Sequence, residues 1–497
     1  MDRRQFFGSS LGVGAAAAAV SMGWSNRAFA ADTADIRVAQ IGFNGQGGGH
    51  IENLIRNKNL VALCDVDEKV LNKKADELDA KGHTLDKYTD FRKLLERKDV
   101  DAVSIATPNH THALITVLAA QAGKDVYVEK PVSHNIWEGR QMAAAAQKYD
   151  RIIQTGTQSR SSPSLQEAVQ WLRAGNLGAI KYALGTCYKR RDSIGKGEKP
   201  LQFPSYINRD LWVAGAEDTP IYRPEKSPGG RTAPHYDWHW DFNTGGGDLG
   251  NQGIHQMDIA RWFLGEPALA PRVISIGGRL GYEDAGNTPN TQIVFHEYPR
   301  APLMFEVRGL PQKKGARDMD NYRGSGTGVL IQCERGHLLV PNYSDVIAYD
   351  SDGNEIKKWS RGANHHDNWL QAIAARDRKL LNADIVEGHL SSSLCHTGNV
   401  SHRLGKKASV AEIAEAVTSN ELLADAYARM VKHLEANGVD LDGEVLTLGE
   451  SLTIDPKTDQ FVGNDKAAKL FTREYREPFA VPDIEREVAA QSAAAGG

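Results

Sequence analysis

An apolar run, residues 36–41 (IRVAQI), ends directly in Gly42-Phe43-Asn44-Gly45-Gln46-Gly47-Gly48-Gly49-His50. A strand that breaks at glycines and restarts as a helix gathers backbone N–H groups at a helix N-terminus, where a phosphate can be held. Side chains at the turn would block that approach, which is why the pattern is G-x-G-x-x-G. Read from Gly42, the match is Gly42, Asn44 and Gly47, with Asn44 in the place of the second glycine. Asn tolerates positive φ better than most residues, and Gly45 follows at once.

The surrounding order raises the meaning of the turn. A second apolar run, residues 59–64 (NLVALC), ends at Asp65, about twenty positions on, where an acidic side chain can accept hydrogen bonds from ribose hydroxyls. A carboxylate there repels a 2′-phosphate, so NAD is expected rather than NADP. Further strands are expected at 101–106, 125–128 and 151–154, with helices at 50–57, 68–78, 112–122 and 137–148. Apolar strands separated by helices predict a doubly wound parallel sheet over residues 35–156.

Beyond residue 156 the pattern changes. A helix is expected at 164–174, then long glycine-, proline- and aromatic-rich loops over 189–247. Alternating strands follow at 272–276, 291–296, 303–307, 328–332, 337–340 and 346–349, with helices at 368–376, 410–417 and 421–434. The fold class is α/β: a Rossmann domain, then an α+β domain over 157–480. That second domain is expected to carry a large, open, mostly antiparallel sheet with helices on one face. Residues 481–497 read as a disordered tail.

The N-terminus reads as a targeting segment. Arg3-Arg4, an apolar stretch too short for a membrane span, and Ala28-Phe29-Ala30 give the order of a twin-arginine signal peptide over residues 1–30. A folded, periplasmic or secreted protein is expected, with no membrane contact after cleavage. The four cysteines, Cys64, Cys187, Cys333 and Cys395, have no metal spacing and read as free thiols. A net charge of −4 on 497 residues gives no reason to expect nucleic acid as a partner.

Three further segments carry chemistry: Ala106-Thr107-Pro108-Asn109-His110-Thr111-His112, then Glu129-Lys130-Pro131 after the fourth strand, then Gly245-Gly246-Gly247-Asp248-Leu249-Gly250-Asn251-Gln252-Gly253-Ile254-His255. In this order they resemble the Gfo/Idh/MocA oxidoreductase family. The resemblance implies that Lys130 lies at the nicotinamide and substrate and that His255 is the family's site histidine. Inositol-dehydrogenase-like members carry Asp where this chain has Asn251.

Oxidising a secondary alcohol requires a base within reach of its hydroxyl. His255 suits that role, because an unperturbed imidazole titrates near neutrality. Lys130 favours a developing alkoxide. Asn251 cannot ionise, but can orient the alcohol or the imidazole. Gly42, Asn44, Gly45, Gly47, Asp65, Thr107, Asn109, Glu129 and Lys130 are the expected cofactor contacts. Tyr188, Tyr236 and His239 are the expected contacts to a sugar or polyol, whose C–H faces suit aromatic walls. No metal site is expected. His110 and His112 read as packing residues, and the positions of His365, His366 and His396 relative to the pocket stay open. A homo-oligomer, dimer or tetramer, is expected from the open sheet.

Because free NAD is scarce outside the cytoplasm, an exported enzyme is expected to carry its cofactor tightly bound. Net hydride transfer on a sugar or inositol is one outcome. Transient oxidation followed by elimination, which would make a redox-neutral glycosidase or lyase, is another. A binding protein that lost its chemistry is a third.

Overall fold

The computed structural model describes residues 33–443 and 445–495. The expected signal peptide therefore lies outside the described residues. The first half alternates as expected: β1 Val38–Ile41, α1 Gly47–Arg56, β2 Leu60–Cys64, α2 Glu68–Asp79, β3 Asp86–Tyr88, α3 Phe91–Leu95, β4 Ala102–Ile105, α4 Asn109–Gln121, β5 Asp125–Val128, α5 Ile136–Lys148 and β6 Ile153–Thr155. The strands form one parallel sheet in the order β3-β2-β1-β4-β5-β6. That order reverses between β1 and β4, opening a crevice at the strand ends. Local chemistry fixes the helix starts. Asp67 caps α2 by accepting from the N–H groups of Lys69 and Val70, and Asn135 caps α5 by accepting from that of Glu138.

The second half holds α6 Pro163–Arg173, β7 Ile180–Tyr188, α7 Arg209–Val213, α8 Ile254–Leu264, β8 Arg272–Gly278, β9 Thr291–His296, β10 Leu303–Arg308, β11 Thr327–Cys333, β12 Gly336–Val340, β13 Asp345–Asp350 and β14 Glu355–Ser360. After these come α9 His365–Ala375, α10 Ile385–Leu404, β15 Lys406–Ala408, α11 Val410–Val417, α12 Glu421–Ala436, β16 Leu446–Leu448, β17 Leu452–Ile454, β18 Phe461–Val462, α13 Asp465–Lys469 and α14 Ile484–Ala495. The sheet runs β14-β13-β12-β11-β7-β10-β9-β8-β16-β15, with β17 also on β8. It is antiparallel except for the central β7–β10 pair.

Four expectations need correction. Helices cover both faces of this sheet: α6, α8 and α10 pack on one side, while α11 and α12 bury Leu184, Ile293 and Met304 on the other. The second domain also does not run unbroken to residue 480. Helix α9 returns to the Rossmann sheet, where Trp369 and Leu370 pack on Val38 and Tyr127. The tail is ordered too: Phe479, Val481 and Ile484 are buried in the Rossmann core and α14 follows. Finally, α10 was not expected. Its sequence, IVEGHLSSSLCHTGNVSHRL, is poor in strong helix formers, yet most of its residues are buried. Small residues let it run close to both sheets, since a Cβ at Gly388 would lie 2.0 Å from Thr155 Oγ1 and one at Gly398 would lie 2.8 Å from Val294.

Candidate active site

The turn after β1 shows why each glycine sits where it does. Gly42 has φ +75°, and a Cβ there would lie 2.7 Å from Thr107 Cγ2. A Cβ on Gly47 would lie 2.2 Å from the Gly42 carbonyl oxygen, so this glycine lets the helix start against the strand. At Gly45 a Cβ would meet nothing within 4 Å, which leaves room for phosphate. Asn44 is exposed and is not among the positive-φ residues. The reason expected for Asn at this position therefore does not hold, although the residue does line the cleft.

The cleft, about 330 Å³, runs from this turn past Asp65, Thr107 and Asn109 to Glu129, Lys130 and Asn251. Asp65 accepts from the Phe43 N–H at 3.2 Å and the Asp67 N–H at 3.0 Å. Burial still pushes its carboxyl up to about 6. Donors from a ribose would relieve that cost. Asn109 is buried, and its Oδ1 has no hydrogen-bond partner among the described residues. These features suit a dinucleotide: a cradle free of side chains, an acceptor for two hydroxyls, and an acceptor still unmet.

Lys130 stands at the far end. Its Nζ donates to the Asn251 carbonyl at 3.0 Å, with Asn251 Oδ1 at 3.5 Å. Asn251 thus orients the lysine rather than the imidazole. It lies on a π-helical turn, Leu249–Gly253, that runs straight into α8. His255, on the first turn of α8, is buried, and its Nδ1 has no partner among the described residues. Burial, reinforced by the Lys130 charge, lowers its pKa to about 3, so the ring is neutral. Burial also lowers the Lys130 ammonium, and nearby Glu129 partly restores it.

Glu129 forms the floor. Its carboxylate meets His50 Nε2 at 3.2 Å and accepts from the Lys130 N–H at 3.1 Å. Burial alone would raise it, but the His50 hydrogen bond and the nearby positive charge prevail, down to about 2. His50 was not legible beforehand; a histidine one turn into a Rossmann helix has no distinguishing pattern. The same is true of Tyr343, whose ring lies 4.9 Å from that of His255 and whose hydroxyl accepts from Gln252 Nε2 at 2.7 Å. Lys189, exposed at the exit of β7, adds positive potential to both Lys130 and His255.

Of the expected substrate contacts, two reach the cleft. Tyr236 and His239 line it, and His239 Nδ1 bonds to the Tyr236 carbonyl oxygen at 2.6 Å. Tyr188 does not. Alternation along β7 sends Ala183 and Cys187 to the α8 side and Leu184 with Tyr188 to the α12 side. The Tyr188 hydroxyl donates instead to Glu306 at 2.7 Å. His110 and His112 each span two backbone carbonyls, those of Trp212 and Thr244 and those of Pro131 and Thr107. His365 and His366 pack beside Tyr127 and His50, away from the cleft. His396 lines a separate cavity. The four cysteines are free and buried.

A loop closes over the cleft. The Glu68 N–H donates to the Tyr206 carbonyl and the Asn208 N–H to the Val66 carbonyl, each at 2.9 Å. His235 Nε2 meets Asp67 at 3.1 Å, and Lys69 sits 3.8 Å above the Tyr206 ring. Ile207, Trp212 and Trp238 thereby line the cleft beside Asp65.

Comparison with known proteins agrees with this arrangement. Residues 36–157 match the model of the oxidoreductase family's NAD-binding Rossmann fold, and residues 222–299 match the GFO/IDH/MocA C-terminal domain. Among curated relatives, levoglucosan dehydrogenase of Pseudarthrobacter phenanthrenivorans is 27% identical over 38% of this chain and 39% of its own length. Myo-inositol 2-dehydrogenase of Thermotoga maritima is 30% identical over 29% and 42%. The chain thus spans well under two thirds of these relatives. Among solved structures, the WlbA dehydrogenase of Bordetella pertussis, in complex with NADH and UDP-GlcNAcA, superposes with a TM-score of 0.52 at 18% identity. The match covers 72% of this chain and 93% of that one.

Proposed function

We propose that this chain is an NAD-dependent oxidoreductase that moves a hydride to or from a secondary hydroxyl of a sugar or inositol-like polyol. One observation carries the reading: the Lys130 ammonium, held by Asn251, closes the end of a dinucleotide cleft within electrostatic reach of a buried, neutral His255. NAD supplies the hydride acceptor. Lys130 stabilises oxygen charge as the substrate hydroxyl loses its proton, and His255 Nδ1, which lacks a protein partner among the described residues, takes that proton as the forming alkoxide offsets the Lys130 charge that, with burial, holds the imidazole at about 3 rather than near neutrality. Tyr236 and His239 form the facing wall. A panel of sugars and inositols, assayed on protein with its native cofactor, should give a steady NADH signal with at least one polyol. Silence across the panel would sink the reading.

The chain is further proposed to be exported in folded form, through the arginine pair Arg3-Arg4, with NAD aboard. The loop tied to Val66, Asp67 and Glu68 supports a cofactor that is not exchanged in each turnover. Denaturing the protein purified from its exported location should release NAD(H). If none appears, the trapped-cofactor reading is wrong. The same enclosure favours a second reading, transient oxidation with elimination and return of the hydride, which would show as aglycone release without net NADH. A homo-oligomer is part of the proposal and is read by light scattering.

A further inference from the structure

A second, larger cavity of about 970 Å³ lies behind the Lys130–Pro131 turn, between α10, the 241–250 loop and the segment after α13. It shares Asn109 with the cofactor cleft, but Lys130 and His255 do not line it. Its polar groups are unmet in a consistent way. Asn399 is buried and gives Nδ2 to the Gly246 carbonyl at 2.9 Å, which leaves Oδ1 without a partner among the described residues. His134 supplies the opposite character. Arg473 Nη1 donates to its Nδ1 at 3.4 Å, and a guanidinium only donates, so Nδ1 is the acceptor and the ring hydrogen sits on Nε2. That Nε2 is buried and also has no partner among the described residues.

Two guanidinium groups face the same space with no carboxylate in ion-pair contact among the described residues, although the buried Glu138 carboxyl feels Arg473 through space. Arg473 is held only by the Asn243 oxygens and His134, and Arg403 lies 5.4 Å over the Phe242 ring. Each lies within electrostatic reach of the other and of His134. Of the acidic groups lining the cavity, Asp218 is taken by Arg209 and Asp241 faces Arg223, while Glu217 and Glu474 are exposed. An acceptor wanting a donor, a donor wanting an acceptor, and cations without an ion-pair partner among the described residues define a molecule with all three complements. We propose that this cavity binds a hydroxyl-rich molecule bearing one anionic group, such as a sugar acid or sugar phosphate, at a site separate from the catalytic cleft. The proposal does not rest on the assigned activity.

Calorimetric titration of the NAD-loaded, full-length protein tests it, with D-gluconate, D-glucuronate, glucose 6-phosphate, D-glucose and inorganic phosphate as probes. At least one anionic sugar should bind saturably, about tenfold or more tighter than glucose or inorganic phosphate, and the carboxylate and phosphate arms identify the anion. Arg403→Gln and Arg473→Ala should each weaken that binding about tenfold, while Lys130→Ala leaves it unchanged. Arg403 is exposed and carries no ion pair among the described residues, so its variant reports even if Arg473→Ala fails to fold. Absence of binding by every anionic sugar overturns the site. So does equal binding of inorganic phosphate, unchanged binding in the Arg403 variant, or loss of binding in Lys130→Ala.

Discussion

The two walls of the cofactor cleft are built in different ways. The Rossmann wall offers mostly backbone: a bare turn from Gly42 to Gly47 and one carboxylate, Asp65, all within a short stretch of chain. The opposite wall is made of side chains, with Tyr236, His239 and Asn251 brought to Lys130 by a loop and a π-helical turn. Backbone amides do not discriminate among dinucleotides, so within the first wall only Asp65 bears on which one is held. On the proposed function the second wall sets which molecule reacts, since its groups come from elements other than the turn. Cofactor capture and substrate choice are thus separable in this molecule.

Lys130→Ala is the sharpest probe of that separation. Turnover should fall by about two to four orders of magnitude while the NAD content of the purified protein stays the same. Loss of cofactor along with rate would show that the walls are coupled. Within the first wall, Gly47→Ala forces a backbone clash and should cost about 1–3 kcal/mol of stability, read by thermal melting. Gly45→Ala, facing open space, should melt as wild type yet load less NAD.

Asp65→Asn should weaken NAD about tenfold. Asp65 titrates in the folded protein at about 6, so NAD affinity of apo protein should fall as the pH drops through that value and the carboxylate is neutralised. The Asn variant should lose this dependence. The smallest effect is expected of Tyr188→Phe. It should leave kcat and KM alone and cost about 1 kcal/mol of stability, because Glu306 keeps its bonds to Arg429. A changed KM would return Tyr188 to the substrate wall.

What could be read from the chain follows the same division. The strand–turn–helix around Gly42 and the acid at Asp65 depend on neighbours in sequence, and their places in the cleft follow, whereas Lys130 is placed there by the family resemblance. Tyr188 was misplaced because its meaning depends on the parity of β7, a strand not foreseen in the run IKYALGTCY. Helix α10 was missed because its serines, glycines and histidines are chosen for close approach to two sheets, not for intrinsic helicity. His50 and Tyr343 belong to the site only through contacts that cross from one element to another.

The closeness of α10 to both sheets has a mechanical meaning. With Gly388 seated on Thr155 and Gly398 on Val294, the helix acts as a spline between the two halves, and bending them apart would tear a tightly fitted seam. Entry and exit of any large ligand then falls to the 204–239 loop. On the trapped-cofactor proposal, the rate of cofactor loss would be set by the four loop contacts at Tyr206, Asn208 and His235, which engineering could loosen without touching either sheet.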